Sequence, residues 1–285
     1  MRKSHLILDV PYLGYVSFFS TRKNDFNANQ VAANMISEIR RIVNREQCVN
    51  VLFCFDGKWP LHRRVMFKGY KAGRQTNRES MDPVELARLD EFRVFMWSLP
   101  ERLRKCGLAV ACQPGYEADD MIAEAVIRIK PEAGDSVVIV TSDEDMFQCL
   151  RAGVVMYTPT AKEKHRDAIW LMDTYGVTHE QWATVKSIAG CESDGVPGIS
   201  GVGNKTACKF LAGKLPEKSK AHQSILENMT TCESTLPLVK IPWPHATLPD
   251  GWLSEDQEWS DRKASLLVSE IMGQPEEAGD TPPPF

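Results

Sequence analysis

Aspartate closes each of three apolar runs in this chain: Leu6-Ile7-Leu8-Asp9, Val51-Leu52-Phe53-Cys54-Phe55-Asp56, and Val137-Val138-Ile139-Val140 leading into Thr141-Ser142-Asp143-Glu144-Asp145. Three further acids stand in four positions at Glu117-Ala118-Asp119-Asp120, and Asp194 follows in Glu192-Ser193-Asp194-Gly195. Carboxylates gathered in one crevice repel one another unless a cation neutralises them, and hard divalent ions prefer oxygen ligands. Eight such groups (Asp9, Asp56, Glu117, Asp119, Asp120, Asp143, Asp145 and Asp194) suffice for two divalent ions that keep several waters. Two ions about 4 Å apart can clamp the attacking and leaving oxygens of an in-line phosphoryl displacement. Each acid also has a plainer use. Those at 117–120 suit the first turn of a helix, Asp143 and Asp145 suit a solvated loop, and Asp194 suits an Asx-turn.

The elements decide between these uses. Continuous apolar runs of this length, separated by helical stretches, read as strands of a parallel sheet buried on both faces, and ligands of such sheets bind beyond the carboxyl ends of the strands. The spacing predicts a first strand at Leu6–Asp9, then a loop and a helix over Asn27–Asn44. A second strand ends at Asp56, and a helix starts at Asp82-Pro83 with a stripe of Val84, Leu86, Leu89, Phe92 and Phe95-Met96. Short strands at Leu108–Cys112 and Val154–Tyr157, with a helix over Glu117–Ile129, complete a set of βαβ units. After about Thr158 strands become scarce. Helices at His179–Ala189 and Lys205–Leu211 flank the Gly-rich turn 190–203, and two more are expected near Lys218–Met229 and Ser260–Met272. The expected organisation is an α/β domain at 1–160, a helical subdomain at 161–272 with its helix–turn–helix at 180–212, and a disordered tail at 273–285 that is Pro-rich, with three acids and no base.

Composition places the chain among ordinary globular proteins: 285 residues, 43% hydrophobic, 25% charged, net charge −4. Asp9 and Pro11 interrupt the apolar stretch behind the basic start before it could serve as a signal peptide, and no run reaches transmembrane length, so a cytoplasmic protein with no membrane partner is expected. Eight cysteines without a C-x-x-C pair suit reduced thiols better than disulfides or a zinc site. The mean charge hides a segregated segment. Lys58, Arg63, Arg64, Lys68, Lys71, Arg74 and Arg78 follow one another with no acid among them, interleaved with Trp59, Phe67 and Tyr70. A solvated helix face would account for the charge, but cations mixed with aromatic rings also suit the phosphates and bases of a single strand.

Gly198-Ile199-Ser200-Gly201-Val202-Gly203-Asn204-Lys205-Thr206 can serve as a plain helix–turn–helix corner. Alternatively, glycines let backbone N–H groups approach phosphates, and the helix starting at Lys205-Thr206 favours anions at its N-terminus, which grips a duplex without reading its bases. It is not a nucleotide-binding phosphate loop, because Asn204 separates the last Gly from the Lys and no strand precedes it. No H-E-x-x-H helix or Gly-x-Ser-x-Gly elbow competes with the acids.

In order along roughly residues 5–240, Asp9, Phe55-Asp56, Arg63, Tyr70-Lys71-Ala72-Gly73-Arg74, Glu117-Ala118-Asp119-Asp120, Ser142-Asp143-x-Asp145 and Ser193-Asp194-Gly-Val-Pro197-Gly198 through Gly201-Val202-Gly203-x-Lys205-Thr206-Ala207 resemble the 5′-nuclease family of bacteriophage and bacterial 5′–3′ exonucleases and flap endonucleases. The resemblance implies a Rossmann-like (PIN-like) α/β fold with a helical arch at 58–96 and an H3TH-like helix–turn–helix. It implies two Mg2+ ions, with Mn2+ a possible substitute, and K+ at the turn. Asp9, Asp56, Glu117 and Asp119 would serve one metal and Asp143, Asp145 and Asp194 the other, with Asp120 bridging or behind them. Lys71 and Arg74 would stabilise the transition state, while Arg63, Tyr70, Gly198, Gly201, Gly203, Lys205 and Thr206 would join them in holding DNA with 5′ single-stranded flaps or ends. The implied role is free-standing replication or repair in a bacterial or phage-infected cell. A replication protein docked on the tail is a further expectation. A catalytically weakened DNA-structure-binding protein and a PIN-like ribonuclease are the alternatives. One position departs from the family, which carries Gly-Asp where this chain has Gly190-Cys191 followed by Glu192. A thiol is a poor magnesium ligand, so Cys191→Asp is expected to raise activity at low magnesium.

Overall fold

The structure is a computed structural model that describes residues 3–21, 27–58, 61–73, 80–130 and 135–272. Trp59, Arg74, Arg78 and the expected tail at 273–285 lie outside the described residues. Strand β1 (Ser4–Asp9) passes directly into helix α1 (Val10–Ser20), and α2 (Ala28–Glu46) leads to β2 (Asn50–Cys54). A short helix α3 (His62–Met66) and the long α4 (Pro83–Lys105) precede β3 (Ala109–Ala111), α5 (Ala118–Ile129), β4 (Ser136–Val140) and β5 (Val154–Tyr157). The strands line up as β3-β2-β1-β4-β5, all parallel, and a two-residue β6 (His165–Arg166) adds an antiparallel edge. This is the doubly wound, Rossmann-like order expected of alternating strands and helices. Its direction reverses between β1 and β4, so a crevice must open beyond Asp9 and Val140.

Alternate residues of each strand face opposite ways, and both faces are covered. Leu6, Leu8, Val51, Phe53, Val138 and Val140 pack under α1, α2 and α4. Ile7, Leu52, Cys54, Val137 and Ile139 pack under α5, and that core continues without a break into the helical part. There α6 (Ala168–Tyr175), α7 (His179–Ala189), α8 (Asn204–Leu211), α9 (Lys220–Glu227) and α10 (Met229–Val239) follow one another. The last helix, α11 (Asp261–Met272), packs elsewhere. Its Leu267 and Ile271 return to the core shared by α2 and β2, away from the Gly-rich turn.

Several helices depart from the sequence expectation, among them α6, which no expected element covers. The stretch Val10–Ser20, expected as loop, is helical with Asp9 as its cap, the Asp9 Oδ1 accepting from Tyr12 N at 3.0 Å. Met229–Val239 is helical despite Pro237. Among the described residues no helix is long and apolar enough to cross a membrane.

Candidate metal centre and nucleic-acid interface

Four of the expected acids meet in one cleft. Asp9, Asp56, Asp119 and Asp143 line a cavity of about 390 Å³ at the strand-order reversal, together with Lys71 and an apolar wall that includes Tyr12, Phe92 and Trp97. Each arrives there because a strand ends or a helix begins. Asp9 closes β1, where Thr141 Oγ1 at the end of β4 donates to its Oδ2 at 2.7 Å. Asp56 follows β2 and accepts from Ala118 N at 2.9 Å, tying it to the first turn of α5. Asp119 lies in that turn, and Asp143 caps the turn after β4 by accepting from Asp145 N at 2.8 Å.

The electrostatics of this cleft call for a cation. Burial, and then the neighbouring Asp56 and Asp143, push Asp9 up to about 7 against the pull of Thr141 and Tyr12. Asp119 is held well above the carboxylate range by desolvation and by Asp143 and Asp9. These groups resist sharing a site as anions, and an all-oxygen donor set suits a hard divalent ion. The residues present therefore fit the metal that the sequence pattern implies.

A second group lies beside the first. Single ligand atoms of Asp145, Cys191 and Asp194 all fall within 4.8 Å of one another, and all three residues are buried. Asp143 links the groups, since its charge acts on Asp145 as well as on Asp9 and Asp119. Asp145 is pushed to about 6 by burial and by Asp143, although Lys186 Nζ stands 2.9 Å from its Oδ1. Burial opposes the charge of Lys186, yet Asp145 keeps the ammonium protonated beyond its ordinary range. Lys186 was absent from the sequence expectation. Its signal was there, because it falls on the buried stripe of α7 between Trp182, Val185 and Ile188, where a lysine needs a partner. Burial, and then Asp194, push the Cys191 thiol above its ordinary value. Glu192 is exposed and outside the group, so the thiol occupies the departing position and the neighbouring carboxylate does not replace it.

Asp120 stands behind the cleft, whereas Glu117 is joined to Asp194 of the second group through Lys71 and the Tyr70 hydroxyl, which donates to Glu117 Oε2 at 2.8 Å and lies 3.4 Å from Asp194 Oδ2. Arg63 donates through Nη1 and Nη2 to the two oxygens of Asp120 at 2.7 and 2.8 Å, through Nη1 to Glu117 Oε2 at 3.0 Å, and to the carbonyls of Leu238 and Lys240 at 3.0 and 2.9 Å. Asp120 also accepts from Trp243 N at 2.7 Å and from Glu117 N at 3.1 Å, the latter half of a capping box. Its oxygens are committed and it is fully buried, so Asp120 positions the helix and does not line the cleft. Arg63, expected to touch DNA, is 3% exposed and serves the same lock. Tyr70, also expected at DNA, is buried with its hydroxyl donating to Glu117 Oε2 at 2.8 Å. Glu117 carries Lys71 on its other oxygen. Burial alone would raise Glu117, but Lys71 and Arg63 hold it down at about 2.

Lys71 is the one cation of the basic segment that reaches the cleft among the described residues. Its backbone N–H donates to Asp194 O at 2.7 Å, its ammonium contacts Glu117, and Asp194 Oδ1 is 3.8 Å away. Lys58 and Lys68 are exposed, as a strand-binding surface requires. Arg74 lies outside the described residues. Among the described residues of 58–96, Arg63, Tyr70 and Lys71 are buried toward one end and Phe92 and Phe95 toward the other.

The glycines of the turn divide by need. A Cβ on Gly198 would sit 2.2 Å from the carbonyl of Ala189, so that glycine is required by backbone packing, which accounts for it without DNA. Gly201 takes φ +75, the left-handed region. Gly203 has φ −97 and open space around a Cβ, so neither strain nor crowding explains it. It caps α8, whose Lys205 is exposed and Thr206 partly so. Asn204 Nδ2 donates to Glu144 Oε2 at 3.2 Å and fixes this helix end near the Asp143–Asp145 loop.

The sequence profile of the 5′-3′ exonuclease N-terminal resolvase-like domain matches residues 4–180, more than half of the chain. The thermostable DNA polymerase I of Thermus aquaticus is 30% identical over 226 residues, which are 79% of this chain and 25% of the polymerase, so the chain spans about a quarter of that relative. Among solved structures, the bacteriophage T5 D15 flap endonuclease in a pseudo-enzyme-product complex with DNA and metal ions superposes with a TM-score of 0.70 at 19% identity, covering 95% of this chain and 98% of its own. The catalytic core of Rad2 in complex with DNA substrate gives a TM-score of 0.57 at 13% identity, covering 96% and 89%. These likenesses establish a shared PIN-like α/β fold. With the profile match over the strands and acids described above, the chain belongs to the 5′-3′ exonuclease family, through its N-terminal resolvase-like domain.

Proposed function

We propose that the chain is a structure-specific 5′ nuclease that hydrolyses phosphodiester bonds of DNA carrying 5′ single-stranded flaps or ends, with Mg2+ at the first metal position. The convergence of Asp9, Asp56, Asp119 and Asp143 on one cleft beside Lys71 carries this reading. Divalent ions held there would neutralise the carboxylates, lower the pKa of an attacking water and polarise the phosphate. The chain's own residues do the rest. Asp9, Asp56, Asp119 and Asp143 would hold the first ion, with Asp143 shared toward Asp145 and Asp194. Lys71 supplies a fixed positive charge for the phosphate oxygens, and Arg74 joins it in this reading. Arg63 and Asp120 keep the acid-bearing end of α5 in register with the helical part. The exposed turn at Gly201 and Gly203, with Lys205 and Thr206, would hold the duplex backbone, and K+ bound by its carbonyls belongs to the same proposal.

The division into a nuclease domain at 1–160 and a duplex-binding part at 161–272 belongs to this reading, with α11 reassigned by its packing to the first. Action in a bacterial or phage-infected cytoplasm follows the bacterial and phage relatives. Docking of a replication protein by the acidic tail rests on its composition. Labelled 5′-flap, nicked, gapped and RNA single-strand substrates, each with Mg2+ and with EDTA, test the function. Metal-dependent cutting of the flap to 5′-phosphate and 3′-hydroxyl ends is expected. Cutting confined to the RNA strand, or independent of metal, would replace it.

A further inference from the structure

We propose that Asp145, Cys191 and Asp194 form a mixed thiolate–carboxylate site that takes a thiophilic divalent cation, of the zinc or cobalt class, in preference to magnesium. The inference deepens the nuclease reading and rests on it for naming this place the second metal position. Ligand atoms bound at about 2.0–2.3 Å from one ion stand roughly 3–4.5 Å from each other, and these three lie within 4.8 Å. The frame that carries them is stiff. Cys191 N donates to Val196 O at 3.0 Å and Val196 N returns a bond to Cys191 O at 2.9 Å, closing a small loop that holds Asp194 inside it. Gly195, at φ +68, closes that loop where a Cβ would meet the Gly69 carbonyl at 2.6 Å, and Lys71 N binds the Asp194 carbonyl from the same side. The Oδ1 of Asp145 is buried and meets the Lys186 ammonium at 2.9 Å, so this carboxylate enters the group already paired with one cation.

Charge decides which cation wins. A magnesium site depends on accumulated negative charge from hard oxygens, and here Lys186 already offsets one carboxylate while a neutral thiol stands where the family carries a third acid. A thiophilic ion gains a covalent metal–sulfur bond that magnesium cannot form. On binding, the S–H proton leaves to solvent and the sulfur lone pair becomes the ligand, so uptake releases one proton from Cys191. Three protein ligands leave the remaining positions to water or to a phosphate oxygen, the open arrangement of a reactive site.

Cobalt(II) titration of the EDTA-stripped full chain reads the site without any substrate. The expected result is a near-ultraviolet thiolate-to-cobalt absorption that saturates, is displaced by Zn2+, and resists excess Mg2+. Cys191→Ser and Cys191→Asp should both lose the band, and Cys191→Asp should gain about tenfold to a hundredfold in Mg2+ affinity by calorimetry. A band that survives in both variants would place the thiolate elsewhere and overturn the proposal, as would equal Zn2+ affinity in all three proteins. The same preparations are assayed on the 5′ flap with Mg2+. Cleavage with no cobalt band defeats this inference alone, whereas a cobalt band with no cleavage by any ion defeats the nuclease reading alone.

Discussion

Arg63 lies bidentate on Asp120, Nη1 to Oδ2 at 2.7 Å and Nη2 to Oδ1 at 2.8 Å, with neither side chain open to solvent. The same guanidinium holds the carbonyls of Leu238 and Lys240, so one side chain fastens the acid-bearing helix to the end of α10. Removing one partner of such a pair leaves the other charge buried and uncompensated, at about 3–5 kcal/mol. Arg63→Ala should therefore lower the urea midpoint strongly. The folded fraction should bind a DNA duplex as the wild type does. Weakened DNA binding with unchanged stability would restore Arg63 to the DNA surface.

Two glycines of one turn should behave differently. Gly198→Ala drives a methyl into the Ala189 backbone and should destabilise by about 1–3 kcal/mol, whereas Gly203→Ala meets open space and should cost only the poorer N-cap, about 0.5–1 kcal/mol. If the turn grips the duplex, Gly203→Ala weakens binding in fluorescence anisotropy at a temperature where the variant is fully folded. Wild-type affinity in that variant would remove the turn from the interface.

Asp9 and Asp145 give the metal-free protein a pH signature. Their folded values, about 7 and about 6, are raised above the usual carboxylate range. The folded state therefore binds more protons than the unfolded one in that window. The stability they contribute is complete below about pH 4 and is lost as pH rises through the folded values. Glu117, held at about 2, works the other way, being stabilising above the ordinary glutamate value and lost in strong acid. In EDTA the melting temperature should fall from about pH 5 to about pH 8 by an increment that Asp9→Asn removes, and divalent metal should abolish it. An unchanged slope in Asp9→Asn would show that this carboxyl is not held protonated.

Much of the fold was legible because β1, β2 and β4 are continuous apolar runs, and such runs have few alternatives to a doubly covered sheet. The strand-end position of Asp9 and Asp56 carried the cleft with it. Helix α1 was not legible: Val10-Pro11-Tyr12 through Phe18-Phe19 is aromatic and β-branched, and Asp9 reads as a strand end before it reads as a cap. Pro237 likewise hid α10. The roles of Arg63, Tyr70 and Lys186 were out of reach for another reason. A charged or polar side chain in sequence has no partner until the fold supplies one, so a basic run looks like a surface even when Arg63 and Lys71 are buried in ion pairs. Cys191 was visible as a departure, but its place within one ion's reach of Asp145 and Asp194 required coordinates.

Single-turnover cleavage of a labelled 5′-flap duplex across a Mg2+ titration, wild type against Asp119→Asn, bears most directly on the central claim that the cleft acids hold the metal that cuts. Wild type should cleave only with metal, and Asp119→Asn, which keeps the shape of the side chain and removes its charge, should lose about a hundredfold or more in rate with flap binding retained. Cleavage by Asp119→Asn at the wild-type rate, or cleavage in EDTA, would contradict the account.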